Sequence, residues 1–260
     1  MSTSQNALAQ KFAALHNPHD TLILANAFDG GSAHAVASNP RTKAIASASY
    51  AVAVAGGYTD DGLTLAQNIA GVRAIVAAGV SVGKPVTVDL QDGYGEQLAD
   101  AIAQVIALGA VGCNLEDFDR GQGKLWSVED AAARIRKAKR VAAELGVPDF
   151  VVNARTDVLA EKDATIADAV QRGKAYLAAG ATTVFVWGGL GGRGVSREEV
   201  GILVKELGGM VNVSMRLAPG YLTAQELSKI GVARISVGPG LYRVAIEGFA
   251  KAVDGVYGST

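Results

Sequence analysis

One local pattern recurs along most of this chain: a helix start signal, an amphipathic stretch, a glycine, then a short apolar run. Thr64 with Gln67 reads as a capping box, in which each side chain satisfies a free N–H at the helix start. Leu65, Ile69, Val72, Ile75 and Val76 follow at helical spacing, and Gly79 is placed to close the helix in the left-handed conformation. The start recurs at Ser127 with Asp130, Thr165 with Asp168, Ser196 with Glu199 and Thr223 with Glu226. The stop recurs at Gly109, Gly146, Gly180, Gly208 and Gly231. Apolar strands follow at 112–115, 150–154, 183–187, 211–215 and 234–237, and earlier ones read at 21–27, 44–49 and 85–90. Continuous apolar runs mark strands buried on both faces, as in parallel sheets. Eight strand–helix units close most naturally into a (β/α)8 TIM barrel. An open doubly wound sheet is the alternative, but no Gly-x-Gly-x-x-Gly turn follows the first strand. Residues 1–20 read as an N-terminal helical extension with Leu8, Phe12 and Leu15 on one face. Within the C-terminal segment 241–260, a last helix runs from about 241 to 253. With no linker, a single domain over 1–260 is expected.

The composition excludes several classes. Apolar residues make up 49% and charged residues 19% of the 260, a globular balance. A net charge of −1 with scattered Lys and Arg gives no footprint for nucleic acid or an anionic membrane. The one cysteine, Cys113, rules out an internal disulfide and reads as a small buried hydrophobe in a strand. The first residues lack an apolar signal core, and no run reaches the roughly 18 apolar residues of a membrane span. A cytoplasmic protein is expected.

Barrel enzymes carry their sites at the C-terminal strand ends. Those ends offer Asn26 and Asp29, then Ser47 and Ser49, with Asp60 in the loop that follows. Asp89, Gln91 and Asp92, Glu116 and Asp117, and Arg155 and Asp157 come next, then Trp187, Asn212, Arg216 and Gly238. The set is rich in carboxylates and contains no histidine; His16, His19 and His34 lie near the N-terminus and read as surface residues. Crowded acids repel one another, and a cation or a substrate whose charge changes explains them better than packing does. Oxygens of Asp, Glu and Gln with waters suit a hard cation such as Mg2+. The planar fork of Arg155 suits a substrate carboxylate. Backbone N–H groups and hydroxyls after the second strand suit the other end of an anion. The competing reading, that the acids cap helices, fits Asp29, Asp117, Asp119 and Asp157 better than Asp89 and Glu116, which directly follow apolar strands.

These residues also carry a resemblance. Asn26-Ala27-Phe28-Asp29, Gly57-Tyr58-Thr59-Asp60 and the stretch from Val88-Asp89 through Gly93-Tyr94-Gly95 are three of its motifs. Asn114-Leu115-Glu116-Asp117, Asn153-Ala154-Arg155-Thr156-Asp157, Asn212-Val213 and Gly231-Val232-Ala233-Arg234-Ile235-Ser236 follow in order. Together they resemble the shorter-chain branch of the isocitrate lyase and phosphoenolpyruvate mutase superfamily over nearly the whole chain. The resemblance implies a barrel whose last helix is exchanged with a neighbouring subunit, giving a homodimer or homotetramer. It implies Mg2+ (or Mn2+) held by Asp60, Asp89, Gln91 and Glu116, largely through water. It implies an α-oxocarboxylate whose enolate form is stabilised by the metal and Arg155, with the carboxylate against Ser47, Ser49 and Tyr50. Asn212 and Trp187 would line the same pocket, and Arg155, Asp89 and Glu116 would carry the chemistry.

The chain departs from the family pattern in three places. Gln91 stands where a second acid is usual, so one negative charge is missing. The loop after the fourth strand, residues 118–126, has neither the Cys-containing gate of the lyases nor the Pro-Lys-x-Asn-Ser type loop of the phosphonate enzymes. Trp187 replaces a small or polar residue and narrows the pocket. The expected activity is Mg2+-dependent cleavage of a small 2-oxo or 2-hydroxy di-acid through an enolate, of the oxaloacetate decarboxylase, hydrolase or lyase type. The alternatives are a phosphonate or phosphoenolpyruvate enzyme with an unusual gate, or a barrel that binds carboxylates without turnover.

Overall fold

The computed structural model describes residues 2–189 and 193–258. Leu22–Leu24 (β1) pairs with Arg234–Ser236 (β11), and Asn26–Ala27 (β2) pairs with Ile45–Ser47 (β3). Only Ala25 separates β1 from β2, so the two are one bent first strand that closes the ring. From β3 the ring continues through Val86–Asp89 (β4), Gly112–Glu116 (β5), Val151–Thr156 (β8), Thr183–Val186 (β9) and Val211–Ser214 (β10) to β11. Every pairing in it is parallel. With β1 and β2 taken together, its nine segments are the eight strands of a (β/α)8 barrel. A small antiparallel hairpin, Phe118–Asp119 (β6) with Lys124–Leu125 (β7), stands on top of the fourth barrel strand.

The helices are α1 (Ser2–Ala14), α2 (Gly30–Ser38), α3 (Ser49–Ala55), α4 (Leu65–Ser81) and α5 (Leu98–Leu108). After them come α6 (Val128–Glu144), α7 (Ile166–Ala178), α8 (Arg197–Glu206), α9 (Ala224–Ile230) and α10 (Gly240–Gly258). The expected capping pairs form. Thr64, Ser196 and Thr223 each accept the N–H three residues on, and Gln67, Glu199 and Glu226 reach back. Asp168 accepts the Thr165 N–H at 2.8 Å, and Ser127 caps Asp130 without the return bond to its backbone. Gly109 and Gly231 end their helices with positive φ. Gly79 does not: α4 runs two residues past it. A Cβ there would sit 2.2 Å from Val86 Cγ2, so this glycine lets the helix pack close on β4. The second strand stops at Ser47, and Ser49 already begins α3.

Helix α1 plugs the bottom of the barrel. Phe12 is fully buried, and its ring lies where a Cβ on Gly112 would meet it at 2.9 Å. His16 stacks edge-on against Phe12 at 4.8 Å and is buried, not on the surface as its sequence context implied. Burial, aided by the charge of Arg234, pushes its pKa down to about 3. At the other end of the chain α10 buries none of its residues, and Phe249 and Val256 are 68% and 70% exposed. It touches its own barrel near its start, where Tyr242 meets Phe28 at 5.1 Å. Among the described residues no helix is long and apolar enough to cross a membrane.

Candidate active site

Opposed residues on neighbouring parallel strands share a face of the sheet. The register therefore places Asp89, Asn114, Asn153 and Thr183 in one tier of the barrel interior. It places Glu116, Arg155, Phe185, Asn212 and Arg234 in another. The first tier is a hydrogen-bonded chain. Thr183 donates to Asn153 at 2.7 Å, Asn153 to Asn114 at 2.8 Å, and Asn114 to Asp89 at 3.0 Å. Linked this way, buried polar groups are satisfied and fix the Asp89 carboxylate from below.

From above, Asp89 accepts the Ser49 N–H at 2.9 Å, and its own N–H donates to the Ser47 hydroxyl. Ser49 also donates to Asp60 at 3.3 Å. Gln91, buried and at φ 52, turns its amide N–H2 onto the backbone and side-chain oxygens of Asp60, at 2.9 and 3.0 Å. Asp92 does not join the acids; its carboxylate accepts the Tyr94 N–H within the turn. Arg120, from the loop of the β6–β7 hairpin, completes the cluster. Its Nε donates to Glu116 at 2.8 Å, and its Nη atoms reach Asp61 at 3.0 Å and Asp60 at 3.2 Å.

Arg155 is held on three sides. Its fork meets Asp157 at 2.5 and 2.6 Å, its Nη1 lies 2.9 Å from Glu116 Oε2, and the Trp187 ring lies 4.9 Å from its guanidinium carbon. The contact with Glu116 is a charge contact without hydrogen-bond alignment. Burial opposes the arginine's charge, but Glu116 and Asp157 more than offset it. On Glu116 the balance runs the other way. Burial raises its pKa to about 7 against the pull of Arg155 and Arg120. Asp117 is structural: it accepts the Asp157 N–H and pairs with Arg172 and Tyr176. Asp29 caps α2, and Asp119 closes the hairpin turn.

Between these groups a cleft of about 120 Å³ opens at the C-terminal strand ends. Ser47, Ser49, Tyr50, Asp60, Asp89, Arg155, Trp187 and Asn212 all line it, as the sequence suggested. Gln91 and Glu116 do not; they stand behind Asp60 and Arg155. Arg234, Asn114, Asn153 and Ser236 line it too; the sequence placed them in motifs without giving them a part in the site. Arg234 is 3% exposed, and its Nε and Nη1 have no partner. Burial lowers its pKa to about 10.

The family model described as Phosphoenolpyruvate phosphomutase matches residues 12–257. The chain belongs to the phosphoenolpyruvate mutase/isocitrate lyase superfamily. An uncharacterised protein of Mycobacterium tuberculosis is 34% identical, over 94% of this chain and 88% of its own. A Burkholderia cenocepacia structure provisionally designated a phosphonomutase is 38% identical, with a TM-score of 0.84 over 96% of this chain and 98% of its own. A 2,3-dimethylmalate lyase structure is 25% identical, with a TM-score of 0.83 over 99% of this chain and 88% of its own.

In this member of the superfamily, the acids expected to hold Mg2+ do not fit a divalent ion as they are arranged. Asp60 and Asp89 present oxygens already engaged by protein N–H and O–H groups, Glu116 faces Arg120 and Arg155 with its two oxygens, and Gln91 offers donors where a ligand must accept. Among the described residues no three His, Cys, Asp or Glu side chains are placed to hold one metal ion. The loop that lacks the family gate instead supplies Arg120. Its sequence signal was a cation in a Gly-rich loop that follows Glu116, Asp117 and Asp119.

Proposed function

We propose that this protein is a carbon–carbon lyase acting on a small 2-oxo or 2-hydroxy di-acid through an enolate. The observation that carries the reading is that two guanidiniums, Arg155 and Arg234, share the wall of one cleft, and two Arg234 nitrogens, sealed from solvent, have no hydrogen-bond partner. An unpaired buried charge costs several kcal/mol, and an anionic ligand offsets that cost. Two cations on one small cleft favour a substrate with two carboxylates. The name 2,3-dimethylmalate lyase specifies such a 2-hydroxy di-acid for a similar protein.

In a cleavage of that class the 2-hydroxyl gives up its proton and the C2–C3 bond breaks. C2 becomes the carbonyl of a 2-oxo acid. C3 keeps the electron pair as an enolate of the adjoining carboxylate, and then takes a proton. Asp60 and Asp89 are the carboxylates that face the cleft, so removal of the hydroxyl proton falls to them. Arg155 and Arg234 hold the carboxylates and the developing charge, and the Trp187 ring walls off water. A divalent ion of the kind the resemblance implies would need Asp60 and Glu116 released from Arg120.

A panel of 2-oxo di-acids, malate-type di-acids and phosphonates, read by release of a 2-oxo acid, tests this reading. A barrel that binds carboxylates without turnover is the second reading, favoured by the saturated acids and by Gln91. Binding of di-acids with no product from any of them would select it. We also propose that the exposed apolar face of α10 joins copies of the chain into a homo-oligomer.

A further inference from the structure

Every carboxylate oxygen of the three acids nearest the cleft already faces a protein donor or a guanidinium, though several keep a lone pair. Asp60 Oδ1 accepts from Gln91 and Ser49, and its Oδ2 accepts from Arg120. Asp89 Oδ1 accepts from Asn114 and the Gln91 N–H, and its Oδ2 accepts from the Ser49 N–H. Glu116 faces Arg120 with one oxygen and Arg155 with the other. A hard dication takes several oxygen ligands in near-octahedral order. Here a guanidinium contacts two of those carboxylates, and like charges at such spacing repel strongly.

The loop that carries Arg120 is built to hold it there. Asp119 Oδ1 accepts the N–H groups of Gly121 and Gln122, at 2.9 and 3.0 Å, and its backbone oxygen accepts the Gly123 N–H at 2.8 Å. Gly123 sits at φ 65, a left-handed turn conformation that suits glycine. The β6–β7 pairing ties the base of the loop to the end of β5. Arg120 itself is 20% exposed. Its fork joins Glu116, at the end of one barrel strand, to Asp60 and Asp61, on the loop after another. Gln91 completes the exchange. An acid at position 91 would add a negative charge suited to a dication, whereas the amide suits a site whose cation is monovalent and covalently attached.

We infer that Arg120 is the resident cation of this site: it neutralises and positions Asp60 and Glu116 where a divalent metal would otherwise sit, and the site binds no metal. The inference takes from the proposed function only the location of the site, and its test needs no turnover. Arg120 does not line the cleft, so it acts through the acids it holds as a positioning residue.

The experiment is calorimetric titration of Mn2+ and Mg2+ into metal-stripped full-length protein, in three forms. The wild type should give no saturable binding tighter than about 1 mM, the weak end of protein sites for hard cations. Arg120→Met removes the guanidinium at similar length, and Arg120→Met with Gln91→Glu restores an acid as well. Mn2+ affinity should rise at least about tenfold in the single variant and further in the double one. Circular dichroism checks that both remain folded. Wild-type binding of either ion in the micromolar range overturns the inference, and that result stands even if neither variant folds. Folded variants with no gain in affinity overturn it as well.

Discussion

Arg155 and Asp157 face each other fork to fork, with Nε to Oδ1 at 2.5 Å and Nη2 to Oδ2 at 2.6 Å, although one residue separates them in the chain. The pairing commits the edge of the guanidinium that would otherwise grip a substrate carboxylate in two-point fashion. What Arg155 brings to the cleft is a fixed charge, stacked on Trp187. Asp157→Asn keeps the size but puts an N–H2 against an N–H. Bidentate charged pairs are among the strong hydrogen bonds, so kcat should fall about 10–100-fold with a smaller change in KM. A variant in which only KM changes would return Arg155 to the role of a substrate clamp.

Arg234 should show a trade between stability and binding. Arg234→Met removes an uncompensated buried cation and keeps the volume. Replacing buried charges by apolar groups is often neutral or stabilising by about 1–4 kcal/mol. The melting temperature should hold or rise, while di-acid affinity falls at least about tenfold. A variant that melts lower and still binds di-acids at wild-type affinity would make Arg234 a structural residue.

Burial pushes the pKa of the Glu116 carboxyl up to about 7 from its ordinary 4.5, against the pull of Arg155 and Arg120. With the folded pKa raised, its contribution to stability is complete below the ordinary value. That contribution is lost as pH rises through about 7, and the loss is on the order of 3 kcal/mol. Glu116→Gln should flatten this part of the profile. Chemical denaturation of both forms between pH 5 and pH 8 is the check. Parallel profiles would mean that the two arginines keep Glu116 ionised throughout.

The exposed face of α10 should hold copies of the chain together. Light scattering of the wild type should give a dimer or larger assembly. Phe249→Glu, which places a charge on the apolar face, should shift it towards monomer. A wild-type monomer at micromolar concentration would leave that face unexplained.

The barrel was legible because five of its helices, α4 and α6 to α9, announce themselves locally. Ser196 with Glu199 and Thr223 with Glu226 are contacts three residues apart, and sequence spacing alone implies them. Gly79 misled because a glycine that lets a helix pack closely on a strand looks the same in sequence as one that ends a helix. Strand ends identified Asp89 and Arg155, since a polar residue closing an apolar run stands out. Arg120 did not stand out, and Arg234 stood in a motif with no site role attached. The role of Arg120 depends on a loop folding back onto Asp60, some sixty positions earlier in the chain. The role of Arg234 depends on which face of its strand turns inward. His16 was misplaced for the same reason: only the packing of α1 under the barrel buries it.

The most direct test of the central claim is a proton NMR time course of purified wild-type protein with matched pairs of acids. Each pair sets a 2-oxo or 2-hydroxy di-acid beside the mono-acid that lacks the second carboxylate. At least one di-acid should be cleaved to a 2-oxo acid and a second carbon fragment, with its mono-acid partner untouched and the reaction abolished by Arg234→Met. No product from any di-acid, or equal cleavage of di-acid and mono-acid, would contradict the account.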